Sequence, residues 1–549
     1  MKFIIKITRM AVGLSKVIIA LLTLLMYLPA CSQQKASNPA NVDTRRDQWN
    51  QSVRGNFSSQ STVTLDSTRL KIFFGKYPVL MRYAKDIEGF YRRRQYAFAW
   101  FENGQLIEQA SNLANRVRNL KLEGLQQQAP YQQALDSLLF AGNPSSRTAD
   151  TDLELMLTAQ YFVFANLAWT GQGAATSHSV NWYLPRKKID YQQYLDTLIA
   201  ARPTGVVPGE PVYRQYELLR HFLIKYHQLA AENWAPIWLP RDLKLGDTSA
   251  TVRSVKVRLM RLDDFSGDTT NSVFSEELAR AVQLFQERHG LPINGILNAE
   301  TLKELNVTPQ KRIEQLIVNM ERSRWLPVQL KGDYLAVNIP EFKLHVYHAD
   351  SLLWSCNAVV GKTMNRTTVF YGEVKYIVFS PYWNVPPGIL RQEILPAIQR
   401  NPNYLTTHHM EITGQRNGLP VVRQKPGPDN PLGLVKFLFP NTYNIYLHDT
   451  PSKSLFDQST RAFSHGCIRI SEPERLATFL LKDRQDWPVE KIRRYMNAGK
   501  ENTLTLQHAT PVFIAYFTAF VDRAGRLNFR RDIYNMDQKL LSALLVSGH

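Results

Sequence analysis

A histidine at 448, a cysteine at 467 and an arginine at 469 stand close enough in the chain to serve one chemistry. They lie in two short stretches, Tyr443-Asn444-Ile445-Tyr446-Leu447-His448-Asp449-Thr450 and Ser464-His465-Gly466-Cys467-Ile468-Arg469-Ile470, with fifteen residues between His448 and Ser464. A thiol reacts as its thiolate. A cysteine enzyme that forms acyl intermediates therefore needs a base for the thiol proton and donors for the oxyanion on the attacked carbonyl. These two stretches can supply all three. Gly466 permits close backbone approach, so the amides around it could donate to the oxyanion. A metal reading of His448, His465 and Cys467 fits poorly, because three ligands split over two strands match no common zinc spacing.

Strand alternation says how these residues must be held. Tyr443, Ile445 and Leu447 would face one way, and Asn444, Tyr446 and His448 the other. Ile468 and Ile470 make one face of the second strand, which leaves Cys467 and Arg469 on the opposite one. With the apolar faces packed, the sulfur, the imidazole and a cation look into one cleft. Ser471 followed three residues later by Glu474 predicts a capping box for a helix from Glu472 to about Lys482.

The surrounding texture is β. Leu335, Val337 and Ile339 alternate with Ala336 and Asn338, Leu344 and Val346 with His345 and Tyr347, and Tyr376-Ile377-Val378-Phe379 is a buried run. Residues 388–430 interrupt it with a helical pattern from Ile389 to Tyr404 and a loop-rich stretch from His408 to Gly427. An insertion between strands in this position predicts a lid over the cleft. A last β pair, Val512 to Asp522 and Leu527 to Ile533, turns at Ala524-Gly525.

Earlier in the chain the period changes to that of a helix. Ala110, Leu113, Ala114, Val117 and Leu120 recur at three- and four-residue spacing, as do Tyr216, Leu219, Leu223, Tyr226 and Ala230. Nothing there has catalytic spacing. Residues 241–308 form a separate unit: Leu243-Lys244-Leu245-Gly246-Asp247, helices through Val252, Val255, Leu259 and Ala281 to Gln286, then Gly290-Leu291-Pro292-Ile293-Asn294-Gly295 and Ala299-Glu300-Thr301-Leu302. A further helix runs from Arg312 to Arg322 and ends near Trp325-Leu326-Pro327.

At 549 residues the chain needs several cores, and its composition, 44% hydrophobic and 21% charged, is globular. The net charge of +19 favours acidic partners. No recognition helix, zinc finger or RNA-binding signature is present, so nucleic acid is not among the expected partners. At the N-terminus Lys2, Lys6, Arg9 and Lys16 precede an apolar run from Val17 to Ala30, shorter than the ~20 residues a spanning helix needs. Basic, apolar, then small is the layout of a secretory signal. The run ends Leu28-Pro29-Ala30-Cys31, similar to the lipid-attachment signal of bacterial lipoproteins, with Cys31 receiving the lipid. Residues 32–60 are polar and aperiodic, as a tether would be. Of the three cysteines, only Cys356 and Cys467 then remain. A bridge between them is open in an oxidising compartment, although Cys356 reads as a small buried hydrophobe.

Two resemblances bring these observations together. Residues 241–308 resemble the type 1 peptidoglycan-binding domain, a small three-helix module. The histidine, the fifteen-residue interval and Ser-His-Gly-Cys resemble the YkuD-type L,D-transpeptidase signature. The longer context is similar to the large, lidded subgroup typified by YcbB: Asn319-Met320-Glu321-Arg322, Arg324-Trp325-Leu326-Pro327, Val360-Gly361-Lys362, Pro381 to Pro386, and Gln424 to Asn430. The resemblance implies Cys467 as nucleophile, His448 as base, the Asp449 carbonyl orienting the imidazole, and the amides of His465, Gly466 and Cys467 lining an oxyanion hole. Arg469, Tyr446, Ser464 and Trp383 would contact substrate. The implied reaction joins peptidoglycan stem peptides by 3→3 cross-links and needs no cofactor or metal.

The expected architecture is multidomain α+β. It comprises a lipoprotein-type signal peptide (1–31), a flexible tether (32–60), a helical scaffold (61–240) and the peptidoglycan-binding domain (241–308). A linking helix (309–332) leads to the mainly-β catalytic domain (333–498, lid about 388–430). A C-terminal β extension (499–549) packs on the catalytic domain. The expected place is the cell envelope or periplasm, anchored to a membrane through lipid, with peptidoglycan stems and glycan as partners. Water or an envelope lipoprotein's lysine could replace the stem amine as acceptor on the same fold. A non-catalytic wall anchor is the remaining alternative.

Overall fold

The helical periods of the first half become helices whose apolar stripe is the predicted one, except that Ala230 is exposed and Leu229 is buried in its place. In a computed structural model describing residues 63–140, 150–200 and 209–546, helix Glu108–Arg118 buries Ala110, Leu113, Ala114 and Val117. Helix Gln215–Ala230 buries Tyr216, Leu219, Leu223, Tyr226 and Leu229. The signal-type segment, Cys31 and the tether lie outside the described residues. Among the described residues no helix is long and apolar enough to cross a membrane.

Residues 241–308 fold around their own core of Leu243, Val252, Val255, Leu278, Phe285 and Leu297. Each of its helices opens on a side-chain cap: Ser249 for Ala250–Arg261, Ser275 for Glu276–Arg288 and Asn298 for Ala299–Leu305. Such caps satisfy amides that the helix itself leaves open. Gln286, fully buried, holds the loop between the last two helices. Its amide nitrogen donates to Asn294, Ile296 and Thr301, and its oxygen accepts from the amides of Asn294 and Gly295.

Helix Pro309–Trp325 is more than a link. It is capped by Thr308 and buries almost every residue from Leu316 to Trp325. Three of the motif residues there are charged and solvent-free. Arg324 pairs with Glu321 at 2.7 Å and donates to the carbonyls of Ala168 and Glu123, while Glu321 accepts from the Gln172 amide. Arg322 pairs with Asp537. The helix thus joins the scaffold to the C-terminal segment by groups that would be costly to leave unpaired.

The second half is a sheet closed on itself. Its strands are β1 (Asp333–Asn338), β2 (Lys343–His348), β3 (Ser351–Gly361), β4 (Val369–Phe379), β5 (Val435–Leu438), β6 (Leu447–His448), β7 (Ile468–Ile470) and β8 (Asn502–Ala515). They pair in the order β5-β6-β7-β3-β2-β1-β8-β4, and β4 pairs back with β5. Closure removes the free edges that an open sheet would expose. Leu335, Val337, Leu344, Ile377, Phe437, Leu447, Ile468, Ile470 and Ile514 fill the interior.

Four expectations are corrected. The alternation from Tyr443 fails, because Asn444 takes a left-handed φ of 56° and leaves Tyr443 40% exposed, so the strand begins only at Leu447. Asparagine tolerates that conformation through local hydrogen bonding. The capping box at Ser471 does not form: its hydroxyl accepts from the Asn357 amide, and helix Pro473–Leu480 starts uncapped. The loop-rich part of the insertion is a hairpin, Met410–Arg416 with Leu419–Gln424, completed by Trp383–Asn384 and packed on Leu390 and Ile394. Finally, residues 499–549 contribute β8 to the closed sheet itself, then the hairpin Ala519–Val521/Leu527–Phe529 and helix Met536–Val546. That hairpin packs into the helical core rather than extending the sheet.

Candidate functional site

The two motif stretches meet as a short parallel pair, β6 on β7, in which Leu447 stands opposite Ile468 and His448 opposite Arg469. The interior takes Leu447 and Ile468. Their neighbours therefore share the other face, which carries Tyr446, His448, Cys467 and Arg469. On the far side of β6, Lys436 of β5 is the register partner of His448. A lysine, an imidazole and a guanidinium thus lie in one row.

His448 is buried, and its Nδ1 lies 2.5 Å from the Asp449 carbonyl oxygen. That acceptor requires the proton on Nδ1 and leaves Nε2 as the basic nitrogen. Burial, with Arg469 and Lys436 nearby, depresses the imidazole to about 3 despite the Asp449 bond. Removal from water disfavours the charged ring, and two cations add to the effect. The Asp449 side chain does separate work. It accepts from the Leu434 amide and pairs with Lys453, while its own amide donates to the Val435 carbonyl. This ties the Asp449 turn to the start of β5.

Cys467 is half-buried and free of any disulfide, as is the buried Cys356. Its thiol donates to the Asn444 carbonyl at 3.5 Å, and the Tyr446 hydroxyl stands beside the sulfur. Burial pushes the thiol above its ordinary range, against the pull of Tyr446 and Arg469. At rest, then, both partners are neutral. The Arg469 Nε is buried with no partner among the described residues, so a cation stands beside the sulfur with bonding capacity to spare.

The loop before Cys467 is fixed from within. Gly466 has φ 117°, a conformation that only glycine adopts without strain. Ser464 Oγ accepts from the Gly466 amide at 3.1 Å and donates to the Cys467 carbonyl at 2.5 Å. This corrects the expected oxyanion role of Gly466, whose N–H is already engaged. The amides of His465 and Cys467 have no acceptor among the described residues. Ser464 is 2% exposed, a brace for the loop rather than a surface for substrate. The His465 ring reaches Glu393 of the insertion at 3.3 Å. Trp383 stands at the lid's root, opposite Gln424 in the lid's small sheet. It is on a different element from the Tyr446, Cys467 and Arg469 group.

Sequence reasoning missed three participants. Lys436 was not singled out from the sequence; only the register of β5 puts it beside His448. Asn444 was assigned to an alternating strand, yet its carbonyl receives the thiol. Thr367, 2% exposed, accepts from the Gly361 amide and donates to the Gly466 carbonyl. It bridges the Val360-Gly361-Lys362 motif to the nucleophile loop, and nothing in its neighbours' types signals this. Among the described residues no group of three His, Cys, Asp or Glu side chains is arranged to hold a metal ion.

A closed sheet that presents a cysteine, a Nδ1-fixed histidine and an arginine whose Nε has no partner among the described residues holds the kinds of group that acyl transfer through a thiol requires. Residues 332–514 match the YkuD family, the L,D-transpeptidase catalytic domain. Residues 85–223 match a scaffold domain, and 248–305 match a family described as "Putative peptidoglycan binding domain". The chain therefore carries a YkuD-type L,D-transpeptidase catalytic domain together with a peptidoglycan-binding domain. A Haemophilus influenzae protein named "Putative L,D-transpeptidase" is 32% identical over 256 residues, which are 44% of this chain and 50% of that protein. The chain thus spans about half the length of the curated relative that it matches. Among solved structures, an L,D-transpeptidase from Xylanimonas cellulosilytica is similar at 15% identity and TM-score 0.18, over 51% of this chain and 99% of its own. One from Stackebrandtia nassauensis is similar at 13% identity and TM-score 0.21, over 50% and 94%.

Proposed function

We propose that the protein is a cell-envelope L,D-transpeptidase that forms 3→3 cross-links between peptidoglycan stems through an acyl-enzyme on Cys467. The observation that supports this best is the shared face of Cys467, His448 and Arg469, with the His448 Nδ1 proton held by the Asp449 carbonyl. In the proposed sequence His448 Nε2 takes the thiol proton and the sulfur attacks the carbonyl of the third, diacid residue of a tetrapeptide stem. The amides of His465 and Cys467 receive the oxyanion. The carbon–nitrogen bond to the terminal D-Ala breaks, and its amine leaves with the proton from His448. An amine of a neighbouring stem then attacks the thioester, gives its proton to His448, and releases the sulfur.

The stem carries carboxylates, which suits the Lys436 and Arg469 cations. Exclusion of water favours transfer to an amine, and the Glu393–His465 contact brings the lid onto the nucleophile loop. The peptidoglycan-binding domain would hold the enzyme on the wall, and lipid on Cys31 would hold it to a membrane. A carbapenem would acylate the same sulfur. Incubating the protein with disaccharide-tetrapeptide and weighing the products by mass spectrometry tests the reading. Cross-linked dimers with loss of D-Ala, absent with Cys467→Ala, are expected. Tripeptides alone would assign the acyl-enzyme to hydrolysis. Dimers from the Cys467→Ala protein would overturn the mechanism.

A further inference from the structure

Ser464 holds the Gly466 amide and the Cys467 carbonyl, but the peptide between them is held from elsewhere. The Gly466 carbonyl accepts from the Thr367 hydroxyl at 2.8 Å. A trans peptide is planar, with its C=O and N–H pointing opposite ways. The same bond therefore sets where the Cys467 amide points. Gly466, at φ 117° and without a Cβ, lends that peptide little stiffness of its own. Thr367 is gripped in turn by Tyr534, a buried residue of the C-terminal segment. The Tyr534 hydroxyl accepts from the Thr367 amide at 3.2 Å and donates to the Gly361 carbonyl. The Gly361 amide donates to the Thr367 hydroxyl at 2.9 Å. Each hydroxyl thus accepts one amide and donates to one carbonyl, which fixes the direction of every proton. Tyr534 is itself well held. Its ring stacks on Tyr516 at 5.6 Å and 28°, and its amide donates to the Tyr516 hydroxyl, which donates to Asp532 at 2.7 Å. Asp532 also accepts the amides of Met536 and Asp537 at the start of the last helix.

We propose that Tyr534 is a positioning residue for acyl transfer: acting through Thr367, its hydroxyl sets the direction of the Cys467 amide that receives the oxyanion. This rests on the acyl-transfer reading above. A tyrosine that only filled space would be served as well by phenylalanine, because the ring alone stacks on Tyr516 and carries the Arg366 guanidinium at 5.6 Å. The hydroxyl's two bonds both go to the turn between β3 and β4. That turn closes so tightly that a methyl group on Gly361 would overlap the Asn365 carbonyl. It also backs the Cys467 loop, since a Cβ on Gly466 would lie 3.8 Å and 3.9 Å from the carbonyl oxygens of Arg366 and Asn365. Burial holds the Tyr534 phenol above its ordinary range, so it remains a donor. An oxyanion donor acts within a window of about 2.7–3.1 Å, so small rotations of the Gly466–Cys467 peptide matter. The C-terminal segment thereby reaches the reaction without touching substrate.

The test is Tyr534→Phe, with kcat and KM for disaccharide-tetrapeptide measured well below the variant's melting midpoint. Loss of a whole oxyanion donor slows turnover by about 10²–10³-fold. A donor kept but misaimed should cost less, about tenfold in kcat, with KM unchanged because the oxyanion forms only after binding. Thr367→Val should slow kcat at least as much, and Thr367→Ser, which keeps the hydroxyl, should stay near the parent. The double variant Tyr534→Phe/Thr367→Val should be no slower than Thr367→Val alone, since both act on one peptide. An unchanged kcat in Tyr534→Phe, a change confined to KM, or losses that multiply in the double variant would each overturn the proposal and leave the hydroxyl as a contact of the fold. A second readout needs no turnover. The chain has only three cysteines, so selective ¹⁵N-cysteine labelling follows the Cys467 amide by NMR. Tyr534→Phe should move that signal and leave that of Cys356 in place. Should the parent turn over no substrate, the acyl-transfer reading fails first, and the NMR shift alone decides whether Tyr534 sets the Cys467 peptide. A Cys467 signal that stays in place refutes it.

Discussion

Arg469 stands directly across a parallel strand pair from His448, the two side chains on one face of the sheet. Burial sets the protonation of the site, and this arrangement, with Lys436 on the other side, adds to it at the imidazole. The imidazole is held to about 3, so it is a free base across the neutral range, while burial keeps the thiol protonated. Cysteine and histidine rest as a neutral pair rather than an ion pair.

Alkylation of Cys467 by iodoacetamide should therefore rise only above the ordinary thiol range, with no inflection near 6.5. An inflection there would show His448 titrating normally. Stability follows the same logic. The folded-state value of His448 lies below its usual 6.5, so its contribution is intact above about 6.5 and is lost as pH falls toward 3. Thermal melts of the parent should fall more steeply over that window than those of His448→Gln.

The orienting bond to His448 comes from the Asp449 main chain, whereas its carboxylate serves Leu434 and Lys453. Asp449→Asn keeps both the carbonyl and an acceptor for the Leu434 amide, so turnover of disaccharide-tetrapeptide should drop less than tenfold. His448→Ala removes the base, and such losses run to about 10²–10⁴-fold. Gly433→Ala attacks the same turn from outside. Gly433 has φ 61°, and a methyl group there would overlap the Asp449 carboxylate. That variant should lose both melting temperature and rate. Equal damage from Asp449→Asn and His448→Ala would show that the carboxylate, not the carbonyl, orients the ring.

What the sequence disclosed follows from where its signals are local. The pairing of Ile468 and Ile470 against Cys467 and Arg469 is a period-two pattern three residues deep, and the structure keeps it. The apolar stripes of the helices over residues 108–118 and 215–230 were equally legible, apart from Ala230, which is exposed. The failures share a cause: a side chain or backbone group bonded to something distant in sequence. Ser471 had the right neighbours for a cap, but the Asn357 amide of β3 took its hydroxyl. Lys436 and Thr367 matter only through register and closure of the sheet, which no window of adjacent residues contains. Strand β8 was read as an appendage, because the strands it joins, β1 and β4, lie more than a hundred residues earlier.

The buried charges of the long helix offer a test of how the scaffold is held. Glu321 and Arg324 are each about 1% exposed and pair at 2.7 Å. Removing one partner strands the other charge away from water, which costs about 3–5 kcal/mol. Glu321→Ala also leaves the Gln172 amide without its acceptor. It should melt well below the parent by calorimetry, whereas Lys311→Ala, at an exposed pair on the same helix, should shift the midpoint by under about 1 kcal/mol. Similar melting of the two would mean that the pair does not tie the domains.

Ser464 is the brace whose loss should separate chemistry from folding. Its hydroxyl is the only side-chain link between the Gly466 amide and the Cys467 carbonyl among the described residues. With Ser464→Ala both groups lose a partner inside a buried turn, at about 1–3 kcal/mol. The glycine at φ 117° then has less to hold it, and the amides of His465 and Cys467, proposed to receive the oxyanion, lose their fixed direction. Acylation of Cys467 by a carbapenem, followed by intact mass, should slow by about tenfold or more. The iodoacetamide reaction, which has no oxyanion, should change little. Parallel slowing of both reactions would place the fault in the thiol itself, and the hole would not depend on Ser464.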